Sequence, residues 1–213
     1  NLILLNSKSK RFPNGLGNDN GLLGKFIAFH NYRATINAEF EGFPQYTTEG
    51  AKPTSHYIPR FRNVYRQETD FLRGYAAGFG AQPNRETNKE GFGAELSNQL
   101  LSTKETGVWN VNSHMMGETI PKESNLVSLD QEKTDAWGIP LLNIDVDYDD
   151  NDEKMIHDFY EQFSEMYEKS GFVNIKTNDN GRRPGNDIHE MGGVRMGKDP
   201  KTSLLNAWNQ MHE

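Results

Sequence analysis

Apolar positions along this chain follow two periods. Between residues 31 and 41 every second position (Tyr32, Ala34, Ile36, Ala38, Phe40) is apolar, the alternation that turns one face of a strand into a core. Similar patterns predict strands over 71–79, 108–116, 125–129, 141–146 and 172–175. One further short strand is expected near 57–61, inside a polar, proline-containing excursion over 42–69. The second period is helical. From Asp150 to Ser170, the residues Met155, Ile156, Phe159, Phe163, Met166 and Tyr167 share one face. Acids crowd the first turn, where they complement the helix dipole, and Gly171 supplies the stop. Another helix is predicted over 94–104, and Leu2, Ile3, Leu4 and Leu5 read as the end of a buried one. Strands joined mostly by non-helical connections predict an α+β fold, a mainly antiparallel sheet of about six strands flanked by helices.

Length and ends refine this picture. The 213 residues suffice for one domain with a sizeable core, or at most two small ones, and 1–213 is expected to be a single domain. The chain opens on Asn1 without a basic signal-peptide flank and runs out through Trp208 and Met211 without a capping signal. Both ends predict a piece excised from a longer protein. A formal charge of −7 with scattered acids speaks against nucleic acid as a partner, because phosphate binding needs basic patches. Without cysteine there is no disulfide framework, thiol nucleophile or cysteine metal site. No apolar run approaches the ~18 residues needed to span a bilayer. A soluble protein of the cytoplasm or periplasm is expected.

Several motifs invite chemistry and fail on spacing. The glycines at 15, 17, 21 and 24 follow no buried strand and lack the dinucleotide-binding interval, and the same holds at 91–93. Residues 145–152 resemble a calcium loop, but Asp150 stands where the turn wants glycine and Ile156 where a bidentate glutamate belongs. They read instead as a strand end running into an acidic helix start. The histidines at 30, 56, 114, 157, 189 and 212 include no i, i+4 pair for a metalloprotease-type helix, and no metal site is expected. His114 is expected to face the core or a partner, and His157 to be solvated. Neither Ser7 nor Ser203 sits in a nucleophile elbow. The stretch from His189 to Pro200 is different. It sets an imidazole beside Gly192 and Gly193, whose backbone can approach a flat ligand closely, and an imidazole so placed can exchange a proton near neutral pH.

At that stretch the pattern becomes specific. His189-x-x-Gly192-Gly193-x-Arg195-Met196-Gly197-x-Asp199-Pro200, continuing to Ser203, Leu204, Leu205 and Asn206, resembles the C-terminal signature of the glucose–methanol–choline (GMC) family of flavin oxidoreductases. Other segments agree in order. Leu4 to Ser7, Asn14 to Asn18 and Gly21 to Lys25 are similar to the family's entry into its substrate domain. Gly117 to Pro121 with 125–129 resembles its central strand pair, and Asp135-x-x-Gly138-x-Pro140 the turn that follows.

The resemblance implies the substrate domain of an FAD-dependent oxidoreductase acting on CH–OH groups of sugars, polyols or other alcohols by hydride transfer to flavin. It also implies that the main FAD-binding domain lies elsewhere in the same protein, with 1–25 and 185–213 bordering it, and that the isolated piece is inactive. His189 takes the position of the family's catalytic base, Glu118 that of a possible orienting residue, and Gly192, Gly193 and Arg195 a loop next to the cofactor. Arg195 and Asp199 are expected to fix that loop. The second catalytic residue lies outside these residues, and the resemblance leaves the electron acceptor open between oxygen, quinone and cytochrome. Two departures stand out. Gly193 replaces a threonine common in the family, and Phe26-Ile27-Ala28-Phe29-His30 replaces an Asn-Leu-x-Asp-His ending, which removes an asparagine and an aspartate from the flavin side. The Arg195-Met196-Gly197 form and the 42–69 excursion lean towards choline-dehydrogenase-like bacterial sugar or polyol dehydrogenases over fungal oxidases. The alternative is a non-catalytic carbohydrate-binding or interaction domain derived from the same family.

Overall fold

The computed structural model describes residues 1–42, 56–83, 90–102, 107–186 and 188–212. Its elements, in chain order, are α1 (Leu2–Asn6), β1 (His30–Asn31), β2 (Ala34–Phe40), β3 (His56–Ile58), β4 (Tyr75–Pro83), α2 (Gly93–Ser102), β5 (Trp109–Glu118), β6 (Leu126–Thr134), β7 (Pro140–Asp145), α3 (Asp150–Lys169) and β8 (Val173–Asp179). The fold is α+β, with a six-stranded sheet in the order β3-β4-β5-β2-β8, β1 pairing with β5, and a separate β6–β7 pair. The pairings along that order and within β6–β7 are antiparallel. The chain divides into two compact units. One comprises Asn1–His30, Glu118–Asp149 and Arg183–Glu213, the other Asn31–Gly117 and Asp150–Arg182.

The second unit is built on α3. Its apolar residues recur every three or four positions, so Met155, Ile156, Phe159, Phe163 and Tyr167 project from one side and are buried. They pack on Ala34, Ile36 and Ala38 of β2, Tyr75 and Ala77 of β4, and Val111 and Met115 of β5. Each such side chain contributes roughly 1.5–3 kcal/mol by leaving water. Two polar pairs lie inside this core: the Ser113 and Tyr167 hydroxyls are 2.5 Å apart, and the Tyr75 hydroxyl donates to Asp158 at 2.7 Å. Burial first, then the Asp158 carboxylate, pushes the Tyr75 phenol well above its ordinary range. Asp158 is itself held bidentately by Arg62. At the other edge Arg33 pairs with both Glu153 of α3 and Asp179 of β8.

One predicted strand begins too early. Over 71–74 the chain turns, and β4 starts only at Tyr75. The cause is Asn63, a buried residue in left-handed backbone (φ 52°). Its amide nitrogen lies 3.0 Å from the Phe71 carbonyl and 2.8 Å from that of Arg73, while its amide oxygen accepts from Glu68 and Thr69. Those carbonyls are thereby taken from any strand ladder. Phe71 still reaches the core, which is why its hydrophobicity reads as strand. The predicted strand over 125–129 instead runs on to Thr134, and the last residues of the 94–104 helix and 43–55 of the polar excursion fall outside the described residues.

The first unit has two small cores, one of Leu5, Leu23 and Leu204 and one of Ile27, Phe29 and Val127. Its β6–β7 hairpin turns on Asp135, whose carboxylate accepts from the amides of Trp137 and Ile139, with Gly138 at φ 80°. Buried Asn125 clips the hairpin's approach to Asp147, accepting its amide and donating to its carbonyl. Residues 145–152 run from the end of β7 into the acidic first turn of α3. Among the described residues, no helix is long and apolar enough to cross a membrane.

Candidate functional site

In the first unit, the His189 loop is fixed by a second segment, 24–30. Ala28 and Met191 exchange both backbone hydrogen bonds, at 2.9 and 2.8 Å. Two more follow: the Gly193 amide donates to Lys25 at 2.9 Å, and the Gly24 amide to Gly193 at 2.7 Å. Between these bonds the chain needs glycine. Gly192 has φ 96°, and a methyl group there would overlap the carbonyl of Phe26; Gly193 has φ 74°, and a methyl there would overlap the Asn1 side chain. Phe26 is itself in left-handed backbone at φ 61°.

Downstream, the Arg195 guanidinium lies 4.7 Å from the centre of the Phe26 ring, a cation–π contact. The Arg195 carbonyl accepts from the amides of Leu204 and Leu205. Asp199 caps a tight turn: its carboxylate accepts from the Lys201 amide and its carbonyl from Thr202 and from the Ser203 hydroxyl. Gly192, Gly193, Arg195 and Asp199 therefore all contact the chain's own atoms and shape the loop.

His189 is the exposed group that this scaffold presents. Its φ of 67° is a left-handed conformation that costs a non-glycine residue about 1–3 kcal/mol, the kind of local strain that concentrates at functional sites. Its ring meets that of His30 edge-to-face, with centroids 5.1 Å apart and planes at 80°. Ile188 and Met191, close to it in sequence, are 50% and 65% exposed. Glu118 closes β5 and is half-buried. Next to it, the Thr119 hydroxyl donates to the Phe29 carbonyl at 2.6 Å and accepts from the Phe29 amide at 3.0 Å, tying the end of β5 to the segment that carries His30.

The second unit has its own polar surface. Register puts Asn37 of β2 opposite Asn112 of β5, and places Gly78 and Gly80 of β4 opposite His114 and Asn112. These residues share the sheet face away from α3, around an open concavity of about 640 Å³. Asn112 donates to Asn37 at 2.9 Å. His114 is half-buried and lies over Gly78, where a methyl group would overlap its ring, with Tyr32 stacked at 6.0 Å. His157 is exposed on α3. Among the described residues, no group of three His, Asp or Glu could hold a metal ion.

Comparison with known proteins bears on both units. Residues 121–213 match the GMC oxidoreductase family model. Over 227 aligned positions and 98% of its length, the chain is 31% identical to a 2-methyl-1,2-propanediol dehydrogenase of Mycolicibacterium austroafricanum. Over 99% of its length it is 24% identical to the fructose dehydrogenase large subunit of Gluconobacter japonicus. Residues 121–213 are thus of the GMC oxidoreductase type. The chain spans 38% of the length of each of these two relatives.

The two departures from the family pattern have structural counterparts. Phe26, in place of asparagine, supplies the ring on which Arg195 rests. Gly193, in place of threonine, takes up left-handed backbone at φ 74°, and a side chain there would have to displace that of Asn1. The contacts that sequence reasoning missed are His30 against His189 and Thr119 against Phe29. Both pair residues far apart in the chain, and no local spacing announces them.

Proposed function

We propose that this chain is the substrate-side part of an FAD-dependent oxidoreductase that oxidises a CH–OH group of a sugar, polyol or other alcohol, with His189 accepting the hydroxyl proton. The observation that carries the reading is the presentation of His189, an exposed imidazole on a backbone kink clamped by the Ala28–Met191 pair. The residues present fit a flavin. Ile188 and Met191 offer exposed apolar contact to a planar ring system on either side of the imidazole in sequence, and Gly192 and Gly193 add no side chain to obstruct it. FAD, when bound, supplies the hydride acceptor. A neutral imidazole nitrogen within about 2.6–3.2 Å of the substrate hydroxyl takes up its proton and stabilises the developing alkoxide.

Glu118 has the supporting role of orienting groups around that proton transfer, and Arg195 keeps the loop in shape. The amide-rich sheet face of the second unit, around Asn37 and Asn112, has by itself the chemistry to hold a polyhydroxylated ligand, because amides both donate to and accept from hydroxyls. The names of the two relatives, a diol dehydrogenase and a fructose dehydrogenase, support the same substrate class.

In the full-length protein, His189→Ala is expected to lower kcat by about 10²–10⁴-fold, the usual contribution of a positioned acid or base, with flavin content unchanged. A variant that keeps most of its activity would remove His189 from this role. As a separate polypeptide, the 213-residue chain is expected neither to bind FAD tightly nor to turn over. Stoichiometric FAD binding at micromolar concentration, read by fluorescence titration, would contradict that. The sheet face also favours a second reading, a carbohydrate-binding domain without catalysis. A thermal-shift response to sugars in a full-length protein that contains no flavin would favour it.

A further inference from the structure

We propose that His30 is the positioning residue for His189, its ring holding the His189 imidazole in the orientation that proton transfer needs. The inference deepens the reading above and rests on it. An isolated backbone bridge brings the two histidines together. Ala28 and Met191 form a doubly hydrogen-bonded antiparallel pair, and stepping two residues along each segment, in opposite chain directions, brings 30 opposite 189. The rings do meet, edge-to-face at 5.1 Å and 80°.

His189 needs such a partner. Its left-handed backbone fixes where Cβ points, but leaves the ring free to turn about two side-chain torsions in an exposed setting. Gly192 and Gly193 have no side chains to restrain it. His30 is half-buried and belongs to β1, with the Phe29–Thr119 hydrogen bonds immediately before it, so its ring is a fixed wall. Edge-to-face packing sets the plane of the neighbouring ring. On this account ring shape carries the effect, and the nitrogens of His30 take no part in the chemistry.

The test is made in the full-length flavin-loaded protein with four variants. His30→Ala is expected to lower kcat about 10–100-fold with KM within about twofold, the scale expected when a reacting group is misplaced by about an ångström. His30→Phe, which keeps the ring, is expected to restore most of the rate, and His30→Gln, which keeps only hydrogen-bonding capacity, is not. Adding His30→Ala to His189→Ala is expected to cost nothing further, because the group to be positioned is gone. Independently of activity, ¹³Cε1-histidine spectra of the full-length protein should show the His189 signal, assigned by its loss in His189→Ala, displaced by the His30 ring and collapsing to an averaged position in His30→Ala. The inference is overturned by a His30→Ala enzyme of normal kcat, by rescue with Gln and not Phe, by additive losses in the double variant, or by an unmoved His189 signal. An active His189→Ala enzyme is a separate outcome that overturns the underlying reading together with the inference. If the His30 variants do not fold, a His189 signal without any ring-current displacement in the unaltered protein overturns the inference by itself.

Discussion

Gly192 shows at the scale of one residue why the loop motif has its composition. At φ 96°, with the Phe26 carbonyl where a methyl group would go, no other residue fits without moving the backbone of the 24–30 segment. Gly192→Ala is therefore expected to destabilise the protein by about 1–3 kcal/mol, the cost of forcing a side chain into a strained backbone region, and to disturb His189 three residues away. Urea unfolding checks it; an unchanged midpoint would mean that the loop relaxes freely. Much of this was legible in the sequence. The spacing of glycines after His189 marks both the exposed imidazole and the need for positive φ. The residues that answer it, Phe26 beneath Arg195 and His30 beside His189, were not legible, because they are more than 150 positions away in sequence and meet only through backbone pairing. Nor does a composition rule distinguish Asn63 from a loop asparagine, although its amide decides where β4 begins.

Among the elements, α3 was the most legible, since six apolar residues at helical spacing, an acidic start and a glycine stop all agree. Its centre is Phe159, fully buried, with Phe163 at 4.4 Å and Tyr75 at 5.7 Å between ring centroids. Phe159→Ala is expected to cost about 3–5 kcal/mol. A loss below about 1 kcal/mol in chemical denaturation would show that α3 does not depend on this packing. The outer strand β8 is held differently. Its exposed pattern carries little apolar burial, and Asp179 at its end pairs with Arg33. The hydrogen bond from Arg33 is the main reason the Asp179 carboxyl is held below its ordinary range. A depressed carboxyl stabilises the fold above its unfolded pKa, and that stabilisation disappears as pH falls through the folded value. With the carboxylate 39% exposed, solvent screening limits the contribution to about 1 kcal/mol or less. Asp179→Asn should thus lower stability slightly at pH 7, and the gap from the unaltered protein should close as pH falls through the depressed folded value. A gap that persists at low pH would assign it to something other than the ion pair. The amphipathic patterns could not show this seam, since it joins residues 33, 153 and 179 through charge alone.

For the whole molecule, the chain moves between two compact units at His30/Asn31, Gly117/Glu118, Asp149/Asp150 and Arg182/Arg183. No break in composition marks these points, so the sequence read as one domain. The sheet architecture was legible from alternation, whereas the division was not, because each crossing falls within or beside a regular element. The first unit presents His189, and the second carries an amide-rich sheet face. The central claim is that His189 takes the hydroxyl proton as the substrate is oxidised. Its most direct test is anaerobic single-turnover reduction of the flavin in the full-length protein, with an alcohol, polyol or sugar substrate identified beforehand by its turnover, followed by stopped-flow absorbance. His189→Ala should bind flavin normally and reduce it about 10²–10⁴-fold more slowly at saturating substrate. Flavin reduction at the rate of the unaltered protein would contradict the account.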